Sequence, residues 1–429
     1  MPKTTVAVVG AGPAGLAVSH LLGAAGVDHV VLDRGRAAES WRSRRWDSLR
    51  LLTPTWLTRL PGLQPASDPD GFLAAHQVVG LLDEYAAESA APVVEHAQVL
   101  SVRVDGGRFR LVSSAGTWTA DAVVLATGAT SSPAVPAAAD TLAPSVHQLL
   151  PQDYRRPELV PDGGVLVVGA SASGVQIADE LRAAGRDVVL AVGSHTRMVR
   201  SYRGMDIYWW LHRIGSLDRG ASTLSATDPR RHEPSAQLVG RLPDGSEHDV
   251  SLPALAYHGV RLTGRLLAAD GERVRFADDL PHTSEDAQAR LRRLLTRIDA
   301  HIAATGLDHE VLPAPRRPVP LHPLPELPQL HLARNGIRTV VWATGYRSAF
   351  PWLHVPVLGR DGELRHTRGI TAAPGLYVVG QHWQTRRTSA FLSGIGDDAR
   401  EVVAQLTGHL AGSAARTGYR HDETKEPRP

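Results

Sequence analysis

The clearest indication of the fold is the segment Val6-Ala7-Val8-Val9-Gly10-Ala11-Gly12-Pro13-Ala14-Gly15. Its four apolar residues predict a buried strand, and the glycines predict a tight turn into a helix that ends at about Gly26. Val30-Val31-Leu32 predicts the next strand, and Asp33 follows it directly. In such a unit Gly10 allows the bend, Gly12 lets the main chain approach a diphosphate, and Gly15 lets helix and strand pack closely.

A second unit with the same order begins at Val165-Leu166-Val167-Val168 and continues through Gly169-Ala170-Ser171-Ala172-Ser173-Gly174. Its helix is expected to end at about Gly185, and Val188-Val189-Leu190 predicts the following strand. Ser171 replaces the middle glycine of this turn, while the outer two glycines remain. Two βαβ units of this kind predict an α/β protein with two Rossmann-like dinucleotide-binding domains, each built on a parallel sheet.

The residues that follow the second strand of each unit differ in charge. Asp33 places a carboxylate where it can bind the hydroxyls of a ribose. The equivalent region of the second unit contains Ser194, Thr196 and Arg197, whose hydroxyls and guanidinium suit a ribose 2′-phosphate. This difference favours FAD in the first domain and NADPH in the second. The alternative is that Arg197, Arg200 and Arg203 are solvated and bind no ligand.

The composition excludes several classes of protein. The 429 residues contain no cysteine, which excludes disulfides, thiolate metal sites and dithiol chemistry, so redox chemistry requires a bound cofactor. A net charge of +2 with dispersed arginines does not predict a nucleic-acid partner. No apolar run approaches the ~18 residues of a membrane span, and no histidine spacing predicts a metal site. We therefore expect a cytoplasmic protein without a membrane partner.

The order of the remaining strand patterns predicts that the second domain is inserted in the first. Further strands are expected over residues 93–104, 108–112, 117–125, 337–342 and 375–380, and a last helix over 399–412. The predicted organisation is an FAD-binding domain over 1–158, an NADPH-binding domain over 159–335, a return to the FAD-binding domain over 336–416, and a disordered tail over 417–429.

A helical insertion is expected on the second domain over about 215–329. Apolar residues recur at helical spacing from Leu291 to Ile302, with Thr283 or Ser284 as the cap and Gly306 as the end. The prolines from Pro313 to Pro328 predict an extended connector after this helix.

Together with the two glycine turns, three segments resemble the flavin-containing monooxygenases, especially their bacterial and YUCCA-like members. They are Ser40-Trp41, Trp46-Asp47-Ser48-Leu49-Arg50-Leu51 and Ala343-Thr344-Gly345-Tyr346. The resemblance covers nearly the whole chain except the insertion. It implies that NADPH reduces FAD, that reduced flavin captures dioxygen as a C4a-(hydro)peroxide, and that one oxygen atom passes to a nitrogen, sulfur or carbonyl centre of a small organic substrate.

The motifs and the resemblance together give the expected cofactor contacts. The expected FAD contacts are Gly10, Gly12, Pro13, Ala14, Gly15, Asp33, Arg34, Ser40, Trp41, Arg50, Val99, Ala126, Thr127, Gly128 and Gln381. The expected NADPH contacts are Gly169, Ser171, Ala172, Ser173, Gly174, Ser194, Thr196, Arg197, Ala343, Thr344 and Gly345.

The sequence departs from the family pattern in two places. The family signature F-x-G-x-x-x-H-x-x-x-[F/Y] should precede the second glycine turn. Anchored on Tyr154, it places Pro144, Val146 and Leu150 at the Phe, Gly and His positions, and anchoring on His147 does not restore it either. At the end of the last FAD-domain strand, Gln381 stands where related flavoproteins have Asp. Asp397 or Asp398 is the candidate substitute for that carboxylate.

Aromatic residues near the nicotinamide domain and after the last strand are the candidate substrate contacts. Tyr208, Trp209 and Trp210 suit either the wall of a substrate cavity or a hydrophobic anchor for the insertion. His382 is a further substrate candidate, and Trp383 and Gln384 are the candidate catalytic residues near the flavin.

Three activities remain open at this point. The leading one is the monooxygenase, acting in specialised metabolism. An NADPH oxidase or flavin reductase without oxygen transfer is favoured by Leu150 at the family's histidine position, and a regulatory subunit that binds both dinucleotides without turnover is the third. The absence of cysteine excludes a disulfide reductase, which shares the two-domain plan. The assembly is open as well, with a homodimer among the alternatives.

Overall fold

A computed structural model describes residues 2–64, 67–225, 228, 233–242, 244–315 and 327–422, with side chains described as far as residue 412 in the last helix. The predicted proline-rich connector falls largely on residues 316–326, which lie outside the described residues. The strands and helices below are numbered in chain order.

The first sheet is built around parallel strands and carries an antiparallel hairpin at its side. Its strands are β1 (Lys3–Val9), β2 (His29–Leu32), β3 (Val93–Val94), β4 (Val99–Asp105), β5 (Arg108–Ser113), β6 (Gly116–Leu125), β21 (His366–Thr367), β22 (Ile370–Thr371) and β23 (Leu376–Val378). Helices of this domain are α1 (Pro13–Ala24), α2 (Glu39–Ser43), α3 (Ala75–Glu88) and α8 (Leu392–Asp422). The strand order is β21-β22-β23-β6-β1-β2-β3, with β5 also paired to β6.

The second sheet is parallel throughout, with the order β15-β10-β9-β19-β8. Its strands are β8 (His147–Leu149), β9 (Gly164–Val168), β10 (Val188–Ala191), β15 (Arg261–Thr263) and β19 (Ile337–Trp342). Helices α4 (Ala172–Ala183) and α6 (Leu252–Tyr257) pack on one face. Every residue of β9 is buried, as expected for a strand that is covered on both faces.

The smaller elements surround these two sheets. They are the strand pairs β7 (Ser132–Pro133) with β20 (Tyr346–Arg347), β11 (Thr196–Arg197) with β14 (Ala236–Gln237), and β12 (Ser201–Tyr202) with β13 (Met205–Asp206). An antiparallel sheet of β16 (Leu266–Asp270), β17 (Arg273–Phe276) and β18 (Gln329–His331) covers the other face of the second sheet. Helices α5 (Ile207–Arg213) and α7 (Leu280–Thr305) share a separate hydrophobic cluster.

Two Rossmann-like domains with the second inserted in the first are thus confirmed, but the predicted domain boundaries are displaced. Strand β8 precedes residue 158 and yet pairs with β19 in the second sheet. Strand β19 itself begins at Ile337, so the return to the first domain comes after Trp342 and not at residue 336. Strand β8 is three residues long and largely exposed, so only its pairing with β19 assigns it to the second sheet. The buried β19 suits either sheet by its sequence, and its pairing with β9 assigns it to the second.

The predicted helical insertion is wrong in part. Region 215–329 contains α6 and α7, but it also supplies β15, which pairs with β10 as a full member of the second sheet. Three residues are too few for a strand pattern to be recognised in the sequence. Helix α7 begins at Leu280, with Pro281 in its first turn, and therefore earlier than the predicted caps Thr283 and Ser284; it ends at Gly306 as predicted.

Two further sequence predictions need correction. The predicted strand over residues 93–104 is divided into β3, which pairs in parallel with β2, and β4, which forms an antiparallel meander with β5 and β6. The last helix is longer than the predicted 399–412, and it continues through residues 417–422, which the sequence predicts as disordered. No proline occurs between residues 399 and 422, so the sequence contains no strong helix breaker at residue 412.

Helix α1 packs against the first sheet through a contact that only glycine permits. A Cβ atom at Gly15 would lie 1.8 Å from the carbonyl oxygen of Gly10. In the second domain, a Cβ at Gly174 would lie 1.9 Å from the carbonyl oxygen of Gly169. Both distances are far inside van der Waals contact, so each helix approaches its turn as closely as a backbone allows.

The pair Gly15→Ala and Gly23→Ala tests this contact within one helix. We expect Gly15→Ala to lower the free energy of unfolding by at least about 1–3 kcal/mol, because the added methyl overlaps a backbone atom. Gly23 is exposed and a Cβ there would meet nothing within 4 Å. Gly23→Ala should therefore be neutral or add up to about 1 kcal/mol through helix propensity. Equal thermal midpoints for the two variants would contradict the packing described here.

Candidate functional site

The first glycine turn leaves an open space beside the start of α1. Gly10 has φ of +108°, and a Cβ there would lie 2.6 Å from the carbonyl oxygen of Ala126. A Cβ at Gly12 would instead meet no atom within 4 Å. Gly12 caps α1 without a side-chain hydrogen bond, and Pro13 follows it. The first backbone N–H groups of the helix therefore face an open space that suits an anion such as a diphosphate.

Asp33 lies at the end of β2, and its carboxylate accepts hydrogen bonds from backbone N–H groups, one of them in the first glycine turn. Its Oδ2 accepts a hydrogen bond from the backbone N–H of Ala11 at 2.7 Å, and its Oδ1 accepts one from Gly35 at 2.9 Å. Asp33 also lines the cleft described below. A carboxylate oxygen accepts more than one hydrogen bond, so these contacts leave capacity for ribose hydroxyls.

The second glycine turn repeats the first in its geometry. Gly169 has φ of +107°, and a Cβ there would lie 2.3 Å from the carbonyl oxygen of Ala343. Ser171 occupies the position of Gly12 and begins α4 without a side-chain capping bond. Its backbone has φ of −84°, an extended conformation that serine adopts without strain. The replacement of glycine by Ser171 therefore preserves the turn and adds a hydroxyl at its tip.

Both glycine turns open into one cleft with a volume of about 1480 Å³. Pockets for a single small ligand typically measure about 300–1,000 Å³. The cleft runs from the carboxyl edge of the first sheet to that of the second, which is the ligand-binding edge of open α/β sheets. One continuous space therefore has room for more than one ligand.

Most of the predicted contact residues line this cleft. On the FAD side these are Gly10, Gly12, Pro13, Ala14, Asp33, Arg34, Ser40, Trp41, Val99, Ala126, Thr127 and Gly128. On the NADPH side they are Gly169, Ser171, Ala172, Ser173, Ser194, Thr196, Ala343, Thr344 and Gly345. Tyr208, His382 and Trp383 also line it. The predicted residues outside the lining are Gly15, Arg50, Gln381, Gly174, Arg197, Trp209, Trp210 and Gln384.

Two of the predicted arginine contacts are engaged elsewhere. The Nη1 of Arg50 donates a hydrogen bond to the carbonyl oxygen of Phe72 at 2.9 Å. The Nη1 of Arg197 donates to Oε1 of Gln288 on α7, and burial lowers the pKa of this guanidinium. Arg50 thus forms a hydrogen bond within a loop of the first domain, and Arg197 forms one that connects β11 to α7.

The three neighbouring aromatic residues of α5 have different surroundings. Trp210 is 0% exposed and its indole N–H donates to the carbonyl oxygen of Tyr202 at 2.7 Å. Trp209 stacks with Arg213, whose Cζ lies 5.3 Å from its ring. Tyr208 alone faces the cleft, where its ring lies edge-on to Phe391 at 6.5 Å. The cavity-wall interpretation therefore fits Tyr208, and the hydrophobic-anchor interpretation fits Trp210.

The loop after β23 brings the predicted catalytic residues to different places. Trp383 lines the cleft and has φ of +53°, a left-handed conformation that is unusual for a large side chain. The Oε1 of Gln384 accepts a bond from the backbone N–H of Gln381 at 3.4 Å, so it supports the loop from within. The Oε1 of Gln381 accepts from Ser348, and within the described residues its buried Nε2 has no hydrogen-bond partner.

Neither Asp397 nor Asp398 takes the place of the missing loop carboxylate. Asp397 pairs with Arg386 and Arg400, each at 2.9 Å. Asp398 is 0% exposed and accepts a hydrogen bond from the hydroxyl of Thr385, within the loop that carries Trp383. Burial raises the pKa of Asp398, while bonds from Thr385 and Ser389 oppose that shift. Asp398 therefore stabilises the loop through this hydrogen bond and does not line the cleft.

Sequence reasoning missed a group of basic residues on the first domain. Arg44 and Arg45 line the cleft with the predicted Arg34. The Cζ of Arg45 lies 5.0 Å from the ring centre of Trp41, and burial lowers the pKa of Arg45. Burial and the charge of Arg44 together lower the pKa of Arg34. The arginines that follow Ser40-Trp41 in the sequence were a signal for this positive surface.

The altered family signature contributes no ionisable group to the cleft. Leu150 packs against the hydrophobic cluster beneath β19, and Val146 is buried in the same cluster. His147 is exposed on β8 and is absent from the lining. The hydroxyl of Tyr154 donates to Glu180 on α4 at 3.0 Å, so this residue joins the segment to the second domain. Pro151 and Gln152 are the parts of the segment that reach the cleft.

Within the described residues, no helix has the length and hydrophobicity of a membrane span. The same residues contain no group of three or more His, Cys, Asp or Glu side chains placed to hold a metal ion.

Comparisons with known proteins agree with this geometry. The family model of the pyridine nucleotide-disulphide oxidoreductases matches residues 7–211. A Geobacillus kaustophilus protein named "uncharacterized oxidoreductase CzcO-like" is 27% identical over 407 residues, which cover 94% of this chain and 98% of that protein. The indole-3-pyruvate monooxygenase YUCCA4 of Oryza sativa subsp. japonica is 35% identical over 193 residues, which cover 41% of this chain and 44% of the rice protein.

Among solved structures, a flavin-containing monooxygenase from Stenotrophomonas maltophilia superposes with a TM-score of 0.66. It is 20% identical, and the match covers 96% of this chain and all of that one. These findings confirm the predicted resemblance to the flavin-containing monooxygenases and the predicted fold of two dinucleotide-binding domains.

Asp398→Asn should change how stability depends on pH. The folded-state pKa of Asp398 is raised, so above the unfolded-state pKa of about 4 the folded protein binds more protons than the unfolded chain. Stability from this group is therefore present at low pH and is lost as pH rises through the folded-state pKa. Relative to wild type, Asp398→Asn should gain thermal stability between pH 4 and pH 7.

The neighbouring Asp397→Asn is the matched control, because Asp397 is 46% exposed and paired at the surface. The difference in thermal stability between Asp397→Asn and wild type should stay small and nearly constant over the same pH range. A gap between Asp398→Asn and wild type that does not change with pH would show that the buried carboxyl does not titrate as described.

Proposed function

We propose that this chain, which is similar in sequence and fold to the flavin-containing monooxygenases, is an FAD- and NADPH-dependent monooxygenase. It transfers one oxygen atom of dioxygen to a nitrogen, sulfur or carbonyl centre of a small organic substrate. The observation that carries the proposal is that both glycine turns open into the same cleft. Two dinucleotides bound there would share one space, as hydride transfer from NADPH to FAD requires.

The residues of the first domain fit FAD. The space above Gly12 and the first N–H groups of α1 suit the diphosphate, and Asp33 suits a ribose. Within the described residues, the buried Oγ1 of Thr127 and Nε2 of Gln381 are without a hydrogen-bond partner. Buried polar atoms of this kind are rare in proteins unless a ligand or water satisfies them. Gln381 lies outside the cleft lining, so the hydroxyl of Thr127, which lines the cleft, is the one of these two groups that is placed to meet FAD.

The residues of the second domain fit NADPH. The N-terminus of α4, with Ser171 and Ser173 at its tip, suits the diphosphate of this cofactor. Ser194 and Thr196 line the cleft at the end of β10, where the adenosine ribose is expected. FAD, when bound, supplies the electron transfer and the activation of dioxygen, and the chain supplies position and exclusion of water.

Apolar residues form the part of the cleft that remains for substrate. Tyr208 and Phe391 meet edge-on, and the neighbouring lining consists of Met198, Ile207, Leu211, Leu217 and Leu238. A wall of this kind favours an apolar substrate and keeps water from the reacting centre. Arg387 and Glu233 also line the cleft, with Nη2 and Oε2 3.6 Å apart.

An NADPH oxidase without oxygen transfer is the second candidate. Leu150 favours it, because the segment that carries the histidine of the family signature contributes only Pro151 and Gln152 to the cleft. The comparison of oxygenated product with hydrogen peroxide described below decides between the two activities.

Gly12→Val should remove FAD without damaging the fold. The backbone at Gly12 has φ of −80° and ψ of −176°, which valine tolerates, and a Cβ there touches no protein atom within 4 Å. The side chain would instead fill the space assigned to the diphosphate. We expect the ratio of flavin absorbance to protein to fall at least tenfold in the purified variant.

Gly23→Ala, on the same helix but outside the cleft, should keep its flavin. The thermal midpoints of the flavin-stripped forms should stay close to that of stripped wild type, which separates loss of the site from loss of the fold. Full flavin content in Gly12→Val would place FAD elsewhere.

The activity itself is tested by the fate of the electrons from NADPH. Purified holoenzyme in air is given NADPH with one of four probes: a tertiary amine, a thioether, cyclohexanone or indole-3-pyruvate. The last is chosen because of the rice relative. We expect one probe to yield oxygenated product, with hydrogen peroxide well below the NADPH consumed. Hydrogen peroxide equal to NADPH with every probe would favour the oxidase, and protein purified without flavin would refute both.

A further inference from the structure

The recognition of the ribose 2′-phosphate needs a cation at the end of β10, and Arg197 does not provide it. Its guanidinium donates to Gln288, which is 7% exposed on α7, and Arg197 is absent from the cleft lining. To reach the cleft, Arg197 would have to abandon that bond and leave the buried amide of Gln288 unsatisfied.

The neighbouring strand supplies a different arginine at this place. Strand β15 runs parallel to β10, with Thr263 opposite Ala191. The residues two positions beyond the two strand ends are therefore adjacent. A Cβ at Gly193 would lie 3.8 Å from Cγ and 3.9 Å from Cδ of Arg265, and Arg265 lines the cleft.

Asp279 fixes the start of this side chain. Its Oδ1 accepts a hydrogen bond from the backbone N–H of Arg265 at 2.9 Å, and its Oδ2 lies 3.7 Å from Nε. Gly264 makes the sharp approach possible, because a Cβ there would lie 1.9 Å from the carbonyl oxygen of Ala277. The Arg265 side chain is 65% exposed, so its guanidinium remains accessible to a ligand that enters from the cleft.

We propose that Arg265, and not Arg197, binds the 2′-phosphate of NADPH and selects this cofactor over NADH. A guanidinium can bind two phosphate oxygens at once, and Ser194 lines the same end of the cleft as Thr196, whose hydroxyl donates to Glu233 at 3.5 Å. The carboxylate of Glu233 also lines this region, and its charge is offset by Arg387 at 3.6 Å. This inference rests on the proposed use of NADPH.

Two adenosine fragments that differ only in the 2′-phosphate test the inference without turnover. Titration calorimetry of the holoenzyme is carried out with 2′,5′-ADP and with 5′-AMP, for wild type, Arg265→Ala, Arg265→Lys and Arg261→Ala. Arg265→Ala should weaken binding of 2′,5′-ADP about 10- to 100-fold and leave 5′-AMP unchanged. Arg265→Lys should weaken binding of 2′,5′-ADP by a smaller factor than Arg265→Ala, because lysine keeps the charge without the bidentate geometry.

Arg261→Ala is the matched control on the same strand, because Arg261 is paired with Asp187 at 2.8 Å away from the cleft. It should retain wild-type affinity for both fragments. Arg197→Ala is the rival variant, and loss of 2′,5′-ADP selectivity there but not in Arg265→Ala would overturn the inference. An equal loss of affinity for both fragments in Arg265→Ala would assign this residue a structural role and would also overturn the inference.

The wild-type titrations separate this inference from the proposed function. Wild type that binds both fragments equally would show that the 2′-phosphate is not recognised, which overturns the role of Arg265 and leaves the dinucleotide site intact. Wild type that binds neither fragment would refute the second dinucleotide site itself.

Discussion

The structure depends on a contact between each glycine turn and the carbonyl oxygen that ends a neighbouring strand. Gly10 and Gly169 both have positive φ, and a Cβ at either would fall within 2.6 Å of Ala126 or Ala343. No residue with a side chain fits this contact without displacing backbone. The end of the central strand, the start of the helix and the end of the next strand therefore meet at one point in each domain, which fixes the helix N-terminus at the ligand-binding edge.

The same contact determines how the domains are joined. The chain leaves the first sheet after Ala126 and leaves the second after Ala343, and the two crossing segments pair with each other as β7 and β20. Each of these two segments starts at the carboxyl edge of its own sheet, beside the glycine turn of that domain. The two edges are consequently brought to one cleft, and two bound dinucleotides would lie in a shared space with an apolar chamber beside them.

The parts of the site that the sequence predicts are those encoded by adjacent residues. Gly10, Gly12 and Asp33 belong to one short unit, so pattern and spacing were sufficient to place them. The roles of Arg265 and Asp398 could not be predicted in this way, because they depend on β15 pairing with β10 and on a loop folding back over α8. The direction of Arg197 depends on Gln288, which is 91 positions away in the chain. The α5 aromatics differ because successive helical residues point about 100° apart.

If NADPH and FAD bind in one cleft as proposed, anaerobic mixing of the flavin-loaded protein with NADPH should reduce the flavin. We expect the visible flavin absorbance to disappear in a rapid single phase that saturates with NADPH concentration, and to return when air is admitted. Flavin that stays oxidised with excess NADPH, yet is reduced by dithionite, would show that the second domain does not deliver hydride to the first and would refute the shared cleft.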